Sequence, residues 1–342
     1  MGTREGSRLT VVARTRNLSP WAYWRLRLDA VEVRDPCPVD PVDAAFDAWR
    51  GRARERLLHA LGPTPRPVPL DAEVLETHDT PAYRREKIVF DTESTMSVPA
   101  YLLVPHSLTV PGPAVLAIHG HGPGKSVVCG LEGEGEDYGH ALASRGYVVL
   151  APDLRCFGER ADWMPPDKYQ CDWNLVCATL AGENPLAQNL WDMQRGVDVL
   201  QAHPLVDPTR IGAVGFSYGA TIALFLAAID ERVRAAVVSG YLSSWHAAHA
   251  VPWNMCGSQV FDGLLGEFEH LDVAALVAPR ALLVESGTND VIFPIDAARA
   301  TVAALARVYA HLDQPDRLTH NVHQGEHEWD GAGIPDFLEQ WL

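Results

Sequence analysis

From about residue 84 onward, short unbroken apolar runs alternate with longer segments in which apolar residues recur every three or four positions. The first pattern suits strands buried on both faces, and the second suits helices that bury one face. Arg85 to Phe90 and Val98 to Val104 read as antiparallel strands about a turn. Ala114 to Ile118, Tyr147 to Ala151, Arg210 to Val214, Val233 to Ser239, Arg280 to Glu285 and Leu318 to His323 read as further strands. Between them Asp137 to Ser144, Trp191 to Ala202, Ala220 to Ile229, Asp296 to His311 and Pro335 to Leu342 read as helices. Such alternation implies βαβ units and an α/β fold with a mostly parallel, doubly wound sheet.

Two stretches break the rhythm. One runs over 159–188 with Trp163, Met164, Tyr169 and Trp173, the other over 241–270 with Trp245, His246, His249, Trp253, Met255, Phe261 and Phe268. Both leave carboxyl ends of strands, where open α/β sheets bind ligands. They are expected to act as aromatic lids over a substrate pocket lined by Trp163, Trp245, Trp253 and Phe261.

Residues 1–75 differ from the catalytic domain expected over 76–342. Phe46, Trp49, Ala53, Leu57 and Leu61 recur at helical spacing, and Gly62-Pro63 ends that helix. Pro63, Pro65, Pro67 and Pro69 form a stiff connector. Arg50, Arg52, Arg54 and Arg56 spread around the helix and read as a solvated face. The segment is expected to be a helical cap or an oligomer contact, which leaves a homodimer open.

Composition narrows the partners. A formal net charge of −16 argues against nucleic acid and anionic membranes, because both repel an acidic surface. Arg4, Arg8, Arg14 and Arg16 interrupt any leader-like apolar stretch, and no run reaches membrane-span length, so a cytoplasmic protein is expected. The six cysteines are scattered without a C-x-x-C, which disfavours structural zinc. They read as free thiols, with a Cys171–Cys177 pair left open.

The chemistry starts at Gly215-Phe216-Ser217-Tyr218-Gly219, a G-x-S-x-G between an apolar run and a helical one. That is the pattern of a nucleophile elbow, a turn sharp enough to lift the serine hydroxyl off the sheet. A serine hydroxyl needs a base to take its proton and an acid to orient that base, in the chain order Ser, acid, His. Asp290 follows a late strand in Ser286-Gly287-Thr288-Asn289-Asp290 and is the candidate acid, ahead of Asp296, Asp262 and Asp272. His327, in the loop between the last strand and the last helix, is the candidate base. His320 and His323 fit structural roles, and their spacing with His327 matches no zinc pattern, so no metal is expected. Two donors would hold the oxyanion. One is the N–H of Tyr218, and the other comes from Ile118-His119-Gly120-His121-Gly122, with His121 preferred over Gly120 or Gly122. Gly124-Lys125-Ser126 imitates the end of a phosphate loop but lacks the preceding glycine.

Together these motifs resemble the α/β-hydrolase superfamily over roughly 80–342. Ile118 to Gly122, Asp153-Leu154-Arg155-Cys156-Phe157-Gly158-Glu159-Arg160 and the elbow resemble its branch of dienelactone-hydrolase-like and acetyl xylan esterase-like serine hydrolases. The resemblance implies cofactor-free hydrolysis of a carboxylic ester through an acyl-enzyme on Ser217. Dienelactone hydrolases proper carry a cysteine where this chain has Ser217. The acetyl xylan esterase group carries Arg-Gly-Gln where this chain has Arg155-Cys156-Phe157. The N-terminal segment resembles the helical region ahead of some hydrolases that cleave carbon–carbon bonds. The alternative substrate is therefore a β-diketone-like ketone cleaved by the same triad.

Overall fold

The computed structural model describes residues 16–40, 43–133, 135–165, 169–251, 254 and 256–342. Among them a nine-stranded sheet forms with the strand order β1-β2-β3-β5-β4-β6-β7-β8-β9. These strands are β1 (Glu73–Asp79), β2 (Tyr83–Glu93), β3 (Met96–Pro105), β4 (Gly112–Ile118), β5 (Val148–Pro152), β6 (Val206–Phe216), β7 (Val233–Ser239), β8 (Ala281–Gly287) and β9 (Leu318–His323). The pairs β1–β2, β2–β3 and β3–β5 are antiparallel, and every pair from β5 across to β9 is parallel. The sheet is thus mostly parallel, as the alternation of runs implies.

Its central strands are apolar on both faces, so each side of the sheet carries a core. Leu116 and Ile118 of β4 pack into one, and Val115 and Ala117 into the other. The N-terminal part of the chain contributes α1 (Pro20–Leu28) and α2 (Asp43–Leu61). Next come α3 (Lys125–Val128), α4 (Tyr138–Ser144), α5 (Gln170–Ala181), α6 (Pro185–Ala202) and α7 (Tyr218–Ile229). Then follow α8 (Trp245–Ala248), α9 (Leu264–Glu267), α10 (His270–Ala275), α11 (Ile295–His311) and α12 (Ile334–Trp341). The larger core takes side chains from α2, α6, α7, α10 and α11, and the smaller from α3, α4 and α12. No helix among the described residues is long and apolar enough to cross a membrane.

Three features of the N-terminal region go beyond the alternation of runs. The apolar face of α2, with Phe46, Trp49, Ala53 and Leu57, lies inside the larger core beside α7. The arginines are not all a solvated face: Arg52 stays exposed, while Arg50, Arg54 and Arg56 are half-buried. Arg54 donates to the Ile229 carbonyl at the C-terminus of α7 (2.8 Å), and Arg50 donates to that of Ala278 (3.0 Å). Arg52 and Arg56 both hold Asp35. A cation at a helix C-terminus meets unpaired carbonyls and the negative end of the dipole, which is why Arg54 turns inward. Finally, β1 was not foreseen. All seven of its residues are exposed, it pairs on one side with β2, and its polar edge shows no alternation. Residues 1–15 lie outside the described residues.

Candidate active site

The elbow forms where β6 runs into α7. Ser217 takes φ +54° and ψ −121°, backbone values disfavoured for any residue with a side chain. Such strain costs about 1–3 kcal/mol and persists only where surrounding contacts enforce it. Here the serine N–H donates to the Ser239 carbonyl (2.9 Å), and its own carbonyl accepts from Ala220 and Thr221 at the start of α7. The flanking glycines answer to close approach. A Cβ on Gly215 would sit 2.2 Å from the Gly219 carbonyl oxygen, and one on Gly219 would sit 1.9 Å from that of Ile118. The G-x-S-x-G spacing is therefore steric.

The three candidate catalytic side chains converge. His327 Nε2 lies 2.8 Å from Ser217 Oγ, and His327 Nδ1 lies 2.8 Å from Asp290 Oδ2. A carboxylate can only accept, so Nδ1 carries the proton and Nε2 is free to accept from the serine hydroxyl. Asp290 is itself held, with Oδ1 accepting from the N–H groups of Ile292 (2.7 Å) and Phe293 (2.9 Å). The imidazole lies between two rings, stacked on Phe216 (4.9 Å between centroids) and tilted against Phe293 (5.5 Å). Backbone bonds tie the acid loop to the base loop, from Thr288 to His323 (3.0 Å) and from Asn289 to Gly325 (2.7 Å).

Tyr218 is the first residue of α7, so its N–H is one of the helix donors without an intrahelical acceptor. Its buried ring stacks on His121 (4.9 Å, 28°), and Phe157 stands edge-on to His121. His121 therefore borders the elbow from the loop after β4. Asn189 steadies the arrangement. Its Nδ2 donates to Tyr218 Oη (3.1 Å), and its Oδ1 accepts from the Arg155 N–H (2.9 Å).

His119 shapes that loop. Its Nε2 accepts from the Leu154 N–H (3.0 Å), so Nδ1 must carry the proton it donates to the Gly120 carbonyl (2.7 Å). Complete burial pushes its pKa down and keeps the ring neutral. The Asp153-to-Arg160 motif is scaffolding of the same kind. Asp153 accepts from the Lys125 N–H and ammonium, and Asp192 binds both Arg155 and Arg160. Burial would raise the Asp192 carboxyl, but the two guanidinium groups outweigh it and hold the carboxyl below its ordinary value.

The expected pocket residues separate. Trp245 is buried, 4% exposed, with Nε1 donating to the Phe268 carbonyl (2.7 Å), and Phe261 is also in the core. Both are structural, because long loops leaving a sheet must bury their own apolar side chains. Trp163 is 81% exposed and lines a surface cavity of about 710 Å³ with Tyr169, Trp173 and Val176. Trp253 lies outside the described residues. His320 bonds to Ser286 Oγ (3.2 Å). No group of three or more His, Cys, Asp or Glu among the described residues could hold a metal ion. Cys171 and Cys177 are both free thiols; six positions apart on α5, they point about 120° apart around the helix axis.

Three supporting residues escaped the sequence reading: His119, Asn189 and Glu285, whose buried carboxylate accepts from the N–H groups of Asp330 and Gly331 in the loop after His327. Glu285 did carry a signal, being a lone carboxylate ending the apolar run Ala281 to Val284. Asn189 carried none.

The comparisons agree with this architecture. Residues 98–251 match the dienelactone hydrolase family. YtaP of Bacillus subtilis (strain 168), named as a candidate hydrolase, is 28% identical over 316 residues, covering 86% of this chain and 100% of YtaP. An acetyl xylan esterase candidate of Bacteroides fragilis NCTC 9343 superposes with a TM-score of 0.77 at 18% identity, covering 96% of this chain and 86% of that one. Glucuronoyl esterase from Solibacter usitatus superposes with a TM-score of 0.66 at 15% identity, covering 91% and 98%. The chain has the α/β-hydrolase fold, and its residues 98–251 match the dienelactone hydrolase family.

Proposed function

We propose that the protein hydrolyses a carboxylic ester through an acyl-enzyme on Ser217. The observation that carries this reading is the unbroken Ser217–His327–Asp290 relay, with both hydrogen bonds at 2.8 Å. His327 Nε2 takes the hydroxyl proton as Oγ attacks the acyl carbon, then returns it to the departing alcohol. Asp290 holds the protonated Nδ1 and faces the imidazolium charge as it forms. The tetrahedral oxyanion is received by the N–H of Tyr218 at the start of α7 and by the His121 N–H. Water then attacks the acyl carbon by the same route, with His327 again as base. The esterase names of the structural neighbours support this chemistry. The carbon–carbon alternative uses the same relay, and no observed feature favours it.

Ser217→Ala should lower p-nitrophenyl acetate turnover by about 10⁴-fold or more. A fluorophosphonate probe should label wild type at Ser217 and leave the variant unlabelled. Ester hydrolysis that survives the substitution would refute the assignment. An ester panel of graded acyl length that is wholly inert, beside cleavage of a β-diketone, would favour the alternative.

A further inference from the structure

We infer that Glu285 is a positioning residue for the base: its buried carboxylate holds the loop that presents His327 to Ser217. The inference rests on the triad reading above.

Glu285 ends an apolar strand and has no exposed surface. A carboxylate in such a place is costly unless its lone pairs are all engaged. They are. Oε1 accepts from the Ser239 hydroxyl (2.7 Å) and the Asp330 N–H (3.2 Å). Oε2 accepts from Asn321 Nδ2 (2.9 Å) and the Gly331 N–H (3.0 Å). No cation is among these partners, so the group serves as a four-way acceptor.

The donors come from three separate places. Ser239 ends β7, and its carbonyl is the acceptor for the N–H of the nucleophile Ser217. Asn321 lies in β9, and it also donates to the Ala332 carbonyl (2.9 Å). Asp330 and Gly331 lie three and four residues beyond His327. The Glu285 carbonyl itself accepts from the Gly240 N–H (3.0 Å). One residue thus ties the strand end that anchors Ser217 to the loop that carries His327. It touches neither Ser217 nor the imidazole, and it acts through the backbone between them.

The arrangement makes a sharp demand on chemistry. Each carboxylate oxygen faces one backbone N–H, Asp330 on one side and Gly331 on the other. A backbone donor cannot rotate away or become an acceptor. Glutamine in either orientation would therefore set its own NH₂ against one of these N–H groups, although its size and shape match glutamate. The loop would have to shift to relieve the clash, and the His327–Ser217 distance would shift with it.

The test compares wild type with Glu285→Gln on p-nitrophenyl acetate, using fluorophosphonate titration to count active sites and thermal melting to monitor the fold. The expected result is a fall of at least tenfold in kcat per titrated site, with KM within threefold of wild type. A purely structural role would lower the melting temperature and the number of titratable sites, yet leave kcat per site intact. Any smaller fall in kcat per site, or a change carried by KM, overturns the inference. Should Glu285→Gln not fold, Asn321→Ala takes its place; it loosens the same loop without removing a backbone bond. It should lower kcat per site two- to fivefold, and wild-type kcat in the folded variant overturns the inference. A wild-type enzyme that the probe fails to label would instead refute the serine hydrolase reading.

Discussion

The two aromatic insertions have similar compositions and opposite fates. In the second, Tyr241, Trp245, Phe261 and Phe268 are buried. In the first, Trp163, Tyr169 and Trp173 are exposed, as are Val176 and Leu180 on α5. The difference lies in what covers them. The second insertion is overlaid by the N-terminal segment: Arg34 donates its N–H to the Gly266 carbonyl, Cys37 to Asp272, and Arg56 lies over the Phe268 ring (5.1 Å). It also meets α11, where Thr301 donates to the Ser243 carbonyl. The first insertion packs on α6 and on the short turn at residues 257–259, and among the described residues its outer face is left exposed. A run of aromatics thus states a need for cover, and the rest of the chain decides whether the cover is intramolecular.

The comparison can be broken most directly by truncation. Trp245→Ala removes a ring packed 4.2 Å from His270 and the donor to Phe268, and should cost about 3–5 kcal/mol in urea unfolding. Trp163→Ala should change stability by no more than about 0.5 kcal/mol. Equal losses would mean that the insertions are packed alike.

Acid should weaken the second insertion first. Burial pushes His249 down to about 4 and His270 well below its ordinary value. Below about pH 6.5 the unfolded chain protonates both while the folded protein does not, so the unfolded state binds more protons and stability falls as pH falls. Each ring should remove up to about 1.4 kcal/mol per pH unit between about 6.5 and its folded pKa. Glu269 and Asp272, raised by burial, take up protons in the folded state and oppose the trend at lower pH. Urea midpoints at pH 7.0 and 5.5 measure the effect, and His249→Gln should flatten the slope. An unchanged slope in that variant would mean that His249 is not held neutral.

The smallest effect concerns the thiols. Cys177 is exposed on α5 and should react with a disulfide reagent within seconds in the native protein. Cys129, buried and pushed up to about 12, and Cys37, pushed higher still by burial, should react only on unfolding. Rapid native reaction of either buried thiol would show that its region opens.

Much of this was legible because it rests on local rules. The runs at 114–118 and 233–239 are apolar enough to require burial on both faces, so the parallel sheet followed. Ser217, Asp290 and His327 were readable because each stands just beyond a strand end. The edge strand β1 was not, since an exposed strand leaves no hydrophobic period. Nor were the roles of Arg50, Arg54 and Asn189, whose partners lie more than 25 residues away in the chain.

By itself the amino-acid sequence determined the alternation of the central strands and helices and singled out the three side chains that converge at the elbow. Periodicity and steric need for glycine act over a few residues. Only the tertiary structure decided which aromatics became core, which arginines closed helix ends, and that Glu285 binds the loop bearing the base. Those outcomes depend on which distant surfaces meet, and a buried polar group is tolerated only where those surfaces supply its partners.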